Sequence, residues 1–214
     1  MRSDEDLTAR ARIRDAAVAR FGRDGFGVGV RAIAADAGVS AALVIHHFGS
    51  KDGLRAACDE HVLETVKREK SDAMQDQAPS DVIGRLARIE EYAPLFAYIV
   101  RSLLEGGVLA AKFVDGLVAD ADAYLETGER TGTVRASEDP RGRSRTLVAT
   151  QVGLIVMAQL DGALGRGTAP TDDPTTAMKE LYDATLLAGL ELYTHGLFTD
   201  SGYLDAYREF KEKS

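Results

Sequence analysis

The chain has 214 residues, 45% hydrophobic and 28% charged, with a net charge of -8 and a single cysteine, Cys58. That balance belongs to a soluble globular protein of one large or two smaller domains, and one cysteine excludes an internal disulfide. No apolar stretch reaches the ~20 residues a bilayer-crossing helix needs, and the acidic start MRSDEDLTAR does not read as a signal peptide, so a cytoplasmic protein with no membrane partner is expected.

Helical spacing runs throughout, without an alternating strand or an internal repeat. Ile13, Ala17 and Phe21 fall at i, i+4 and i+8 and predict a first helix from about Asp4 to Gly22. The glycine-rich GRDGFGVG (22–29) is a turn; no strand precedes it and no Lys-Ser/Thr follows, so it is not read as a phosphate loop. Short helices follow at Val30–Ala37 and Ser40–His47. Ser50 as N-cap, with Asp52 in the first turn, opens a long helix to about Asp72. QDQAPSD (75–81) is a linker. Helices are then expected at about 80–88, 91–104 and 106–128, at 140–165 opened by Pro140, at 174–196 opened by Pro174, and at 201–212. The fold class is all-α, with about ten helices.

Residues 30–49, VRAIAADAGVSAALVIHHFG, make a helix-turn-helix on physical grounds. Val30, Ile33, Ala37, Val39 and Val44 can pack two short helices against the first, and Ala34 is small where they cross. Gly38 permits the positive φ of a tight turn, and Ser40 can cap the second helix. The positions Ser40, Ala41, Ala42, Ile45 and His46 are expected to face outward. Such a helix fits a major groove about 12 Å wide. Charge supports this placement: residues 1–55 hold nine Lys/Arg against seven Asp/Glu, while the remainder holds 17 against 27.

The block from Phe21 to Leu54 resembles the TetR family of bacterial transcription regulators. The matching residues are Phe21, Gly25-Phe26, Arg31-Ala32-Ile33-Ala34, Ala37-Gly38-Val39-Ser40, His46-His47-Phe48 and Ser50-Lys51-Asp52-Gly53-Leu54. The resemblance implies a three-helix DNA-binding domain at 1–54 and a larger helical ligand-sensing and dimerisation domain at 55–214. It implies a palindromic double-stranded DNA operator contacted by Arg31, Ser40, Ala41, Ala42, Ile45, His46 and Lys51. There are departures. Gly29 stands where the family caps the second helix with Ser or Thr, Ile45 replaces a common Tyr, and Ala41-Ala42 replaces a frequent Lys-Gly pair. A recognition helix so poor in polar groups is expected to read thymine methyls and DNA shape. His46 is a DNA contact or a polar residue ending its helix; His47 is expected to pack at the helix junction.

The resemblance also implies a homodimer through the 140–165 and 174–196 helices, whose apolar faces carry Leu147, Leu154, Leu187 and Leu190. The same residues could instead form the core of one monomer. An unidentified, weakly polar organic ligand is expected among Tyr92, Phe96, Arg101, Phe113, Tyr124, Gln151 and Met157, each of which also reads as ordinary core or surface. The helix from Ser50 to about Asp72 is expected to be the only long element joining sensor to DNA-binding unit. No cofactor and no metal site is expected: Cys58 and His61 share a helix face, but nothing completes a ligand set. A repressor released by its ligand is the leading expectation; an activator, or a regulator without a ligand, stays open. An enzyme and a helical scaffold are rivals, but no nucleophile–base set appears.

Overall fold

The 3.6-residue apolar spacing is realised as helix wherever the chain is described. The computed structural model describes residues 4–75, 89–163 and 174–213. Among them lie nine α-helices, and no strand. They are α1 (Asp4–Asp24), α2 (Val30–Asp36), α3 (Ala41–Phe48), α4 (Lys51–Gln75), α5 (Ala93–Glu105), α6 (Gly107–Thr131), α7 (Pro140–Ala163), α8 (Pro174–His195) and α9 (Gly202–Glu212). A 3-10 turn, Ile89–Tyr92, leads into α5. The helix expected at 80–88 and the last residues of the 140–165 helix lie outside the described residues. Among the described residues no helix is long and apolar enough to cross a membrane.

The N-terminal unit forms around side chains removed entirely from water: Ile13 and Phe21 of α1, Ile33 of α2, Val44 of α3 and Leu54 of α4. Burying each is worth about 1.5–3 kcal/mol, enough to hold two helices that would not survive alone at seven and eight residues. The same cluster continues without a break through Val62 of α4 to Tyr98 of α5 and Phe113 of α6. A second cluster, Ala121, Tyr124, Leu125 and Val148, joins α6 to α7.

Two long helices run side by side because small residues let them. Gly116 of α6 lies under Leu63 of α4, and a Cβ there would come within 2.7 Å of Leu63 Cδ1. At the far end of α4, Thr131 Oγ1 donates to the Met74 carbonyl at 2.8 Å and Thr133 Oγ1 does so at 3.2 Å. α7 packs on α6, and α8 packs on α5 and α7.

Candidate nucleic-acid interface

α3 is defined at both ends by local chemistry. Gly38, at φ 64°, turns the chain out of α2. Ser40 then holds extended backbone and its Oγ accepts the Leu43 N–H at 3.1 Å, satisfying an orphan donor of the first turn. Gly49 ends α3, and Ser50 Oγ accepts from Gly53 N–H at 3.0 Å to start α4. Gly29 precedes α2 without any side-chain cap, as the sequence implies.

Val44 is sealed in the core, so the opposite side of α3 faces out. Ala42, Ile45 and His46 are exposed, Ile45 at 43%. Ser40 is also exposed, but its Oγ is engaged in the cap. Ala41 differs from the expectation: it is half-buried and packs against the core, because the first residue of α3 sits over the turn toward α2. His47 is half-buried, its ring 5.5 Å from His46 and 6.2 Å from Phe48. Arg31 is exposed on α2, and Lys51 is half-buried at the start of α4.

Ion pairs sort the basic residues of this unit. Arg14 is paired with Asp15, and Arg20 with Asp24 and Asp36. Arg23 is paired with Asp24. Arg10, Arg31 and Lys51 have no carboxylate partner among the described residues. Arg10 was not legible as a site residue, since only the fold brings α1 to the end of α3. Its guanidinium lies 5.0 Å from the centroid of Phe48, and its Nε is buried without a hydrogen bond.

The connection to the rest of the chain is broader than one helix, which corrects the expectation that α4 alone links the two parts. α1 packs along α5. Gly22 permits the close crossing: a Cβ there would lie 2.9 Å from Tyr98 N and 3.0 Å from Ala97 Cβ. The Tyr98 ring is fully buried among Phe21, Phe26 and Phe113. Its O–H donates to Asp59 Oδ1 on α4 at 2.6 Å. Burial raises the Asp59 carboxyl above its usual range, opposed by that hydrogen bond and by Arg55. Arg55 stacks on Phe26 at 3.6 Å and pairs with Glu105 at the end of α5, at 3.4 Å. A cavity of about 210 Å³ opens here, lined by Phe21, Phe26, Lys51, Asp52, Arg55 and Glu105.

The seven residues expected around a ligand do not converge. Arg101 reaches away to the Arg23 carbonyl at 3.3 Å. Tyr92 O–H donates to Glu69 Oε2 at 2.8 Å, and Phe96 is half-buried. Phe113 belongs to the first core cluster and Tyr124 to the second. Gln151 and Met157 face outward, Met157 at 60% exposure. Of the four expected interface leucines, Leu147 packs on the second cluster and Leu154 is half-buried, whereas Leu187 and Leu190 are exposed. Cys58 is fully buried, and burial pushes its thiol up to about 12, so it is an inert core group.

Comparison with known proteins agrees with this geometry. Residues 13–58 match the family described as "Bacterial regulatory proteins, tetR family", and residues 90–199 match "Tetracyclin repressor-like, C-terminal domain". The chain is 47% identical over 202 residues to the HTH-type transcriptional regulatory protein RaaS of Mycobacterium tuberculosis, covering 94% of this chain and 92% of that one. Two solved structures share the fold. A TetR-family transcriptional regulator from Pectobacterium atrosepticum is 23% identical, with TM-score 0.51 over 93% of this chain and 99% of its own. Salmonella enterica GusR is 21% identical, with TM-score 0.51 over 83% of this chain and 95% of its own. The chain belongs to the TetR family: it is a DNA-binding transcription regulator of the helix-turn-helix type.

Proposed function

We propose that the chain works as a homodimeric repressor of a palindromic operator, released when a small organic ligand binds the helices that follow residue 54. In this reading residues 1–54 grip DNA, and residues 55–214 sense the ligand and dimerise. One observation carries the DNA side. α3 is sealed on one side by Val44 and presents Ala42, Ile45 and His46 on the other, with Arg31 exposed on α2 before it and Lys51 opening α4 after it. An exposed isoleucine and alanine on such a helix suit thymine methyls, and the flanking cations suit phosphates.

One recognition helix makes too few contacts for genomic specificity, and two-fold symmetry doubles them. Leu187, 81% exposed on α8, is the side chain that most needs a cover on that helix. Release then requires a ligand that binds the DNA-incompetent arrangement more tightly than the competent one. The junction at Gly22, Tyr98, Asp59, Arg55 and Glu105 supplies the contacts through which a shift of α5 reaches both α1 and α4. The test is a titration of ligand into a preformed protein–DNA complex. Compounds are first selected by a rise in melting temperature. Hits that weaken DNA binding support release; hits that bind the sensor helices and never change DNA affinity refute it.

A further inference from the structure

The cavity of about 210 Å³ at the start of α4 holds a cation that the residues around it do not satisfy. The side chain of Arg55 is only 12% exposed. Phe26 covers one face of its guanidinium, whose carbon lies 3.6 Å from the ring centroid. Its Nε is buried without a hydrogen bond. Glu105, at the end of α5, stands 3.4 Å from Nη1, longer than the about 2.7–2.9 Å of a close charge-assisted contact. Asp59, one turn further along α4, is held by the Tyr98 phenol. A guanidinium carries its five N–H donors in one plane, so with a face covered its edge is the side left for an acceptor.

Lys51 lines the same cavity one helical turn before Arg55, at i and i+4 on one face of α4. Two carboxylates, Asp52 and Glu105, line it as well. They do not make it a cation site. Asp52 is exposed and the Glu105 side chain is 45% exposed, so water solvates both. Arg55 has lost most of its water without gaining acceptors for all of its donors, and a buried unmet donor is the costlier defect. An incoming cation would meet Lys51 and Arg55, whereas an incoming oxyanion supplies what Arg55 lacks. The volume falls below the ~300–1,000 Å³ of a pocket for a drug-sized ligand, so the occupant is small.

We infer that this cavity is an anion site: the Arg55 fork and the Lys51 ammonium hold a small oxyanion, a carboxylate or phosphate group, where Glu105 now stands. Bound there, the oxyanion takes Arg55 from Glu105 and frees the end of α5 from α4. It also occupies Lys51, so the anion and the operator compete for one lysine. The site stands apart from the organic ligand of the proposed repressor, and only the competition with DNA rests on Lys51 as a DNA anchor.

The experiment is calorimetric titration of the full-length chain, free of DNA, with sodium phosphate and separately with sodium propionate, at ionic strength held constant with chloride. A saturable isotherm is expected with at least one of them, and the tighter binder tells a phosphate site from a carboxylate site. Glu105→Gln removes the internal competitor at an exposed position and should tighten binding several-fold. Arg55→Lys, which cannot present a fork, should weaken it about tenfold. No saturable binding to the wild type overturns the site, as does an affinity unchanged in Glu105→Gln, an arm that holds even if Arg55→Lys fails to fold. An Arg55→Lys protein that folds and binds like the wild type overturns it too. If neither anion binds and Arg55→Lys lowers the salt slope of DNA binding by about one, the acceptor is the DNA backbone instead. The anion that binds is then added to a preformed protein–DNA complex at the same ionic strength. DNA affinity should fall, and by reciprocity DNA should weaken the anion by the same factor. Anion binding that leaves DNA affinity unchanged overturns the shared lysine while the site itself stands.

Discussion

The phenol of Tyr98, buried on α5, donates its proton to Asp59 on α4 across 2.6 Å, and the ring of the same tyrosine is packed between Phe21 of α1 and Phe113 of α6. One side chain thus touches the DNA-binding unit, the helix leading out of it and the helices that follow. Tyr98→Phe keeps the ring and removes the O–H. It leaves a half-buried carboxylate short of one donor, so stability should fall by about 1–3 kcal/mol. A melting curve within experimental error of wild type would show that water replaces the phenol at no expense.

Gly22 makes the companion contact. Gly22→Val places methyl groups against the backbone of Tyr98, where even a Cβ would lie 2.9 Å from the amide nitrogen. Either α1 moves off α5 or the fold loses about 1–3 kcal/mol to overpacking. The expected signature is a lower denaturation midpoint with DNA affinity changed as well, because α1 supports α3. A variant with normal stability and normal DNA affinity would show that the crossing is looser than the geometry states.

His61 gives a pH dependence. Burial and Arg14 lower its pKa, against the opposing pull of Asp15 and Glu64. A histidine depressed in the folded state binds fewer protons there than in the unfolded chain. Its contribution is therefore fully present above the ordinary value of about 6.5 and is lost as pH falls toward the depressed folded value. Stability should decline on acidification below that point, and His61→Gln should flatten this part of the profile. An identical slope in the variant would assign the decline to other groups.

Arg10, Arg31 and Lys51 should act as phosphate anchors. Replacing any one by Ala should weaken binding to all sequences alike and reduce the salt slope by about one counterion. Loss confined to specific DNA would instead mean that the residue reads bases. Arg10→Lys separates two roles: a mere charge at that point is restored by lysine, whereas support of Phe48 by the flat guanidinium is not.

The DNA-binding unit was legible because its signals are local. Ser40, Gly38 and Ser50 act within three or four residues of themselves, and the spacing of Ile33, Ala37 and Val44 sets the buried face. Ala41 is where that reading slipped: helical spacing alone does not say how far the core wraps around the first turn of α3. The α1–α5 junction was not legible, since Gly22 and Tyr98 lie far apart in the chain and neither residue type announces the other. Aromatic residues of the helices after α4 were the least informative. Tyr98, Phe113 and Tyr124 carry the same helical spacing as a ligand pocket would, yet they fill the two core clusters.

Direct binding to the DNA upstream of the chain's own gene tests the recognition helix most sharply, comparing wild type with Ala42→Glu across salt. Ala42 is exposed on α3, so glutamate there folds normally and sets a carboxylate against the groove. Wild type should bind a palindromic duplex tightly at low salt and lose affinity steeply as salt rises, by about 10³ or more between 50 and 200 mM if six or more phosphates are contacted. Ala42→Glu should fail to bind while melting like the wild type. Wild-type protein that shifts no upstream DNA, or an Ala42→Glu protein that binds as well as wild type, would contradict the assignment of α3 to the major groove.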